Sequence, residues 1–181
     1  MKKLWLLLFA AALVAACDNY EDDPQGLSYV DRNFVIVASE SGKAKVELGQ
    51  LAAERGGSAE VRAYGSRMVT DLSAAMTELE SLANVKGATM TKDLTREHLS
   101  LRDTLMLLSG SGFDAVYIES QVNEDEQLAS LYRAQEANGQ DVDFKNYAAK
   151  YLPITNEHLT SSQELKASLA PTDTVAGRSR D

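Results

Sequence analysis

The 181 residues include two histidines, His98 and His158, one cysteine, Cys17, and 27 carboxylates, so metal or acid–base chemistry in this chain has imidazole and carboxylate to work with. A di-iron carboxylate centre asks for a Glu three positions before a His, which brings both side chains of one helix to the same cluster. Neither histidine has one: Thr95 precedes His98, and Thr155 precedes His158, at that spacing. What remains is Glu47, then Glu124 or Asp125, then His158, each close to the apolar stripe of its own segment. A mixed carboxylate and imidazole set of this kind suits Zn, Mn or Fe. The competing reading makes His158 a core histidine hydrogen-bonded to a tyrosine or carboxylate, Glu124 a carboxylate at the stripe edge reaching solvent, and His98 a packing residue. Glycine-rich phosphate loops, nucleophile elbows and zinc-type cysteine sets are absent from the sequence. With no complete catalytic constellation, the chain reads as a non-enzymatic module, with a degenerate metal-binding, redox-capable site as the alternative.

The segments that would position these residues share one periodicity. From Asp31 onward apolar residues recur at helical spacing, and no alternating strand run interrupts them, which predicts an all-α domain. A first helix is expected over about 31–55, with Phe34, Val37, Ala44, Leu48 and Leu51 on one face, Gly42 as a weak point and Gly56-Gly57 as a left-handed stop. Ser58 is an N-cap for a second helix whose stripe runs from Val61 through Tyr64, Met68, Leu72, Met76 and Leu79 to Leu82 before Gly87. A short third helix is expected over about 93–109, and a fourth carries Phe113, Tyr117, Leu128 and Leu131 up to the Asn138-Gly139 turn. Asp141 caps a fifth, with Phe144, Ala148, Tyr151, Thr155, His158, Ser162 and Leu165 in register and Pro153 expected to kink it. Four long helices and one short one, joined by brief loops, predict an antiparallel four-helix bundle with an accessory helix. Tyr64, Tyr117, Tyr132, Tyr147 and Tyr151 are expected to pack in its core with hydroxyls that need partners. The domain is placed at 31–170 and a polar tail at 171–181, a size that buries a core without disulfides.

The N-terminal end has a different character. Lys2 and Lys3 precede an unbroken apolar run from Leu4 to Ala16, too short to span a bilayer but suited to a secretion signal over 1–16. Val14-Ala15-Ala16-Cys17 resembles the lipobox of bacterial lipoproteins, in which cleavage leaves the cysteine first and its thiol carries the lipid. Each buried CH₂ of an acyl chain contributes about 0.8 kcal/mol, so a multiply acylated Cys17 would hold the protein to a membrane without a protein span. Residues 17–30, rich in acid and poor in apolar side chains through Gly26, read as a tether. The chain would then face the periplasm or the cell exterior, from either the inner or the outer membrane. Loss of Lys2 and Lys3 with the leader takes the net charge from −9 to −11, which argues against a nucleic acid partner and against adsorption to anionic lipid.

Within the domain, Val46-Glu47-Leu48-Gly49-Gln50-Leu51-Ala52, Ser58-Ala59-Glu60-Val61, Arg67-Met68-Val69-Thr70-Asp71, Phe113-Asp114-Ala115-Val116-Tyr117, Leu152-Pro153 and Glu157-His158-Leu159 together resemble the bacterial domain-of-unknown-function family 4142. The resemblance covers about 34–165 and implies a ferritin-like bundle, commonly secreted or membrane-anchored. It also implies an Asp-His pair in the second helix and another in the fourth. This chain has Asp71-Leu72 and Glu124-Asp125 there, so two inward imidazoles expected from the family are missing.

Overall fold

The computed structural model describes residues 26–170; the leader, Cys17, the tether up to residue 25 and the tail from 171 lie outside the described residues. Among the described residues there are five α-helices and no strand: α1 (Tyr29–Arg55), α2 (Ala59–Lys86), α3 (Arg96–Leu107), α4 (Gly110–Asn138) and α5 (Val142–Leu169). The local signals that start four of them, all but α4, are side-chain caps. Ser28 Oγ accepts from Asp31 N, Ser58 Oγ from Val61 N, Thr95 Oγ1 from His98 N, and the Asp141 carboxylate from the amides of Asp143 and Phe144. Gly87, at φ 67°, ends α2 in the left-handed conformation that a side chain resists, whereas Gly56 ends α1 at φ −53°, so the left-handed stop expected at Gly56-Gly57 is not formed.

Some boundaries differ from expectation. α1 begins at Tyr29, two residues into what composition assigned to the tether, because Ser28 caps it and Leu27 is buried in the core. α3 is shorter than its apolar pattern at both ends. α1 continues through Gly42, beside which Met76 packs, and α5 continues through Pro153.

α1 and α2 form one antiparallel hairpin and α4 and α5 another; the hairpins meet mostly along α1 and α4, while α3 crosses between them with few contacts. The second hairpin repeats the first at an offset of 83 residues, the spacing that separates Ser41 from Glu124. At that offset Arg55 and Asn138 end α1 and α4, and the bounds of α2 and α5 coincide. The buried contacts repeat too. Asp114 accepts from Gly57 N at 2.7 Å and Ser58 N at 2.8 Å, and Asp31 accepts from the equivalent Gln140 and Asp141 amides at 3.2 Å. Tyr64 donates its hydroxyl to His158 O at 3.4 Å, and its equivalent Tyr147 donates to Ala75 O at 3.1 Å, so each hairpin holds the other reciprocally. These bonds remove buried backbone groups from the unsatisfied ledger at each hairpin turn and crossing.

The core is divided along its length. Phe34, Val35, Ala38, Leu79, Tyr132, Phe144 and Tyr147 belong to one apolar cluster, whereas Leu48, Val61, Tyr64, Met68, Phe113 and Tyr117 belong to the other. Between them lies a layer of buried polar side chains, among them Ser39, Lys45, Gln121, Asp125, Thr155 and His158.

Candidate functional site

The centre of that layer is an ion pair. Lys45 falls on the inward stripe of α1 between Gly42 and Leu48, and Asp125 on that of α4 between Gln121 and Leu128. Their side chains are wholly shielded from solvent, with Lys45 Nζ 2.5 Å from Asp125 Oδ1. The other oxygen, Oδ2, accepts the hydroxyl of Tyr64 from α2 at 3.1 Å, the shorter branch of a three-centre bond shared with His158 O. Burial and the neighbouring Asp125 charge push the Tyr64 phenol far up, so it stays a donor. Such a pair offsets desolvation only because each charge has a partner, and removing one partner exposes the full cost to the other. Nearby in sequence, the Tyr117 hydroxyl and Gln121 Oε1 are buried without a protein hydrogen-bond partner.

His158 sits on α5, 1 % exposed, and Nε2 lies 2.8 Å from Asp71 Oδ2 on α2. Burial lowers its pKa; the Asp71 contact opposes this, the Lys45 charge reinforces it, and the balance stays below the ordinary histidine range. The ring is therefore neutral at pH 7, and its Nε2–H donates to Asp71. Asp71 also receives Arg67 Nε at 3.2 Å, and Arg67 reaches on to Glu157 at 3.1 Å, so a buried imidazole is connected through one carboxylate to the exposed groove between α2 and α5.

The second histidine belongs to a separate group. His98 Nε2 lies 3.1 Å from Glu124 Oε1, Thr95 Oγ1 is 2.9 Å from its Nδ1, and Ser41 donates to Glu124 Oε2 at 3.0 Å. The Glu124 bond and charge outweigh burial and raise the His98 pKa. For Glu124 burial acts upward, but His98, Ser41 and Lys45 together overcome it and the carboxyl is lowered. His98 and Glu124 border a cleft of about 120 Å³ that Val37, Leu128 and Leu131 also line.

The sequence-derived set of Glu47, Asp125 and His158 is thus distributed rather than gathered. Asp125 is bound by Lys45, His158 by Asp71, and Glu47 stands half-buried on α1. Among the described residues no three His, Cys, Asp or Glu side chains stand together as a metal ion requires. Donors present do not fit a metal: an ammonium occupies the carboxylate that would have to bind it. Lys45 and Asp71 were not picked out from the sequence as partners of the site. The available signal was a lysine at i, i+3 spacing within an otherwise apolar stripe.

A family model described as domain of unknown function (DUF4142) matches residues 19–165. The chain belongs to that family. Comparison with curated proteins and with solved structures returned no match. In this DUF4142 chain the position after Asp71, where a family histidine was expected, holds Leu72, 5 % exposed and packed in the apolar cluster with Met68 and Leu105. The position of the second expected histidine holds Asp125, and there the charge partner is Lys45.

Proposed function

We propose that this DUF4142 chain is a lipid-anchored protein of the cell envelope whose ferritin-like four-helix bundle acts as a non-enzymatic binding or envelope-support module. The observation that carries this reading is the Lys45–Asp125 pair: the place where bundle helices would present open carboxylates is filled by a salt bridge between two of the bundle's own side chains. The remaining candidates are committed likewise, His158 to Asp71 and His98 to Glu124, which leaves recognition to the outer faces. The membrane attachment is supported by the Val14-Ala15-Ala16-Cys17 sequence after its apolar run. Under this reading the Cys17 thiol forms a thioether with diacylglycerol, and the domain faces the periplasm or the exterior.

The test is fractionation with mass spectrometry of the mature N-terminus. The wild-type chain is expected in the membrane fraction with acyl groups on Cys17, and Cys17→Ala in the soluble fraction or retained as precursor. An unmodified N-terminus beginning elsewhere would refute the anchor. Turnover of a substrate that depends on Asp71 or His158 would refute the non-enzymatic role.

A further inference from the structure

Seven large apolar side chains are exposed among the described residues; three stand at one pole of the bundle, and two, Met106 and Leu107, at the end of α3 toward the other. Tyr29 on the first turn of α1 is 62 % exposed, Val85 near the end of α2 is 80 % exposed, and Val142 at the start of α5 is 62 % exposed. Hydrogen bonds fix their proximity. Asp31, two residues after Tyr29, accepts from the Gln140 and Asp141 amides, and Lys86, next to Val85, bridges Asp141 at 2.8 Å and Asp143 at 2.7 Å on either side of Val142. The same contacts commit the Lys86 ammonium to carboxylates, and Asn84, Asn138 and Gln140 fill in exposed, uncharged surface between them.

This is also the pole at which the chain enters the fold. Gly26 is the ninth residue after Cys17, and a link of that length reaches at most about 30 Å when fully extended. The opposite pole lies a further helix length away, about 40 Å for α1. We infer that the Tyr29–Val85–Val142 pole rests on the lipid bilayer, placing the bundle upright on the membrane with α1 rising away from it. This rests on the lipid anchor at Cys17 proposed above.

The chemistry agrees with a neutral interface. A phenol with its ring in the acyl boundary and its hydroxyl among headgroups is the usual preference of tyrosine at membranes, and two valines add shallow apolar contact. The anchor holds the pole at high local concentration, so a contact too weak to bind a free domain becomes populated. Because Asp141 and Asp143 flank Val142, attraction to anionic headgroups is not the driving force, and the contact is expected not to weaken as salt is raised.

Depth-dependent fluorescence tests this on the full acylated chain in vesicles of phosphatidylethanolamine and phosphatidylglycerol doped with phosphatidylcholine brominated on its acyl chains. The sequence has one tryptophan, Trp5, within the leader, so after maturation Tyr29→Trp, Val142→Trp or Met106→Trp each supplies the sole indole. Met106 is the control because α3 ends beside the far pole, where Arg55 at the end of α1 donates to Leu108 O. Brominated lipid is expected to quench Tyr29→Trp and Val142→Trp several-fold more than Met106→Trp, at high salt no less than at low, with unchanged thermal melts. Acylated, membrane-bound chain with equal quenching at both poles would overturn the docking while leaving the anchor intact. An indole at 29 shielded from aqueous iodide yet not reached by brominated lipid would assign the pole to a second copy or another protein, and would overturn it as well. Chain found in the supernatant without acyl groups would remove the anchor, and the docking with it.

Discussion

Lys45 Nζ and Asp125 Oδ1 stand 2.5 Å apart in the middle of the bundle, each side chain fully buried and supplied by opposite hairpins. The charge pair joins α1 to α4 between two apolar clusters, with Tyr64 from α2 completing the carboxylate's contacts. At such a position an apolar pair of similar volume would serve stability as well.

Single replacements should therefore be far worse than the double. Lys45→Met leaves Asp125 buried without its cation and is expected to lose about 3–5 kcal/mol of unfolding free energy in urea, with Asp125→Leu losing a similar amount. Lys45→Met with Asp125→Leu should recover most of that loss. A double variant as unstable as the sum of the singles would show that the pair is not what the site turns on.

The two histidines should titrate on opposite sides of the ordinary value of 6.5. His158, held below it, contributes stability that is complete above about 6.5 and is lost as pH falls through its folded pKa. His98, held above it by Glu124, contributes stability that is complete below about 6.5 and is lost as pH rises through its folded pKa. Ring-proton NMR titration reads both directly, and His158→Gln should flatten the acid-side loss while His98→Gln leaves it in place. Both rings titrating on the same side of 6.5 would contradict the geometry.

Glycine substitutions separate close packing from backbone cost. A Cβ on Gly65 would lie 2.7 Å from Gly49 O and 2.8 Å from Ala53 N, which are main-chain atoms of α1 that cannot swing aside. Gly65→Ala should destabilise by about 1–3 kcal/mol through separation of α1 from α2. At Gly112 the nearest atom is Leu108 Cδ2 at 4.0 Å, and Gly112→Ala should instead stabilise by about 0.5–1 kcal/mol, as in any open helical position. Thermal melts that rank the two variants in the reverse order would refute the tight α1–α2 crossing.

Much of the architecture was legible because its signals are local. Ser58 and Asp141 announce helix starts by side-chain chemistry, and the Val61-to-Leu79 and Phe144-to-Ser162 stripes carry the 3.6-residue period through buried positions. Val37, by contrast, fits its stripe yet is 37 % exposed, since α1 has one face against α2 and another against α4 and the pattern does not say where the second ends. The hairpin repeat was illegible because few identities survive at the 83-residue offset. The few that do, Asp31 with Asp114 and Tyr64 with Tyr147 among them, stand out only once their equivalent bonds are seen in the fold. The site suffered from the same limit. Asp125 and His158 were visible as inward polar residues, but a buried carboxylate looks alike in sequence whether its partner is a metal or a lysine on another helix. Only the packing of α1 against α4 distinguishes them.

The most direct test of a bundle closed by its own side chains is the metal content of the purified full chain. The protein would be incubated with Fe(II), Mn(II) or Zn(II), passed through gel filtration and measured by elemental analysis beside Asp125→Asn and His158→Ala. The expected result is far less than one metal ion per chain, the same in all three proteins. Near-stoichiometric metal in the wild type that falls in either variant would contradict it.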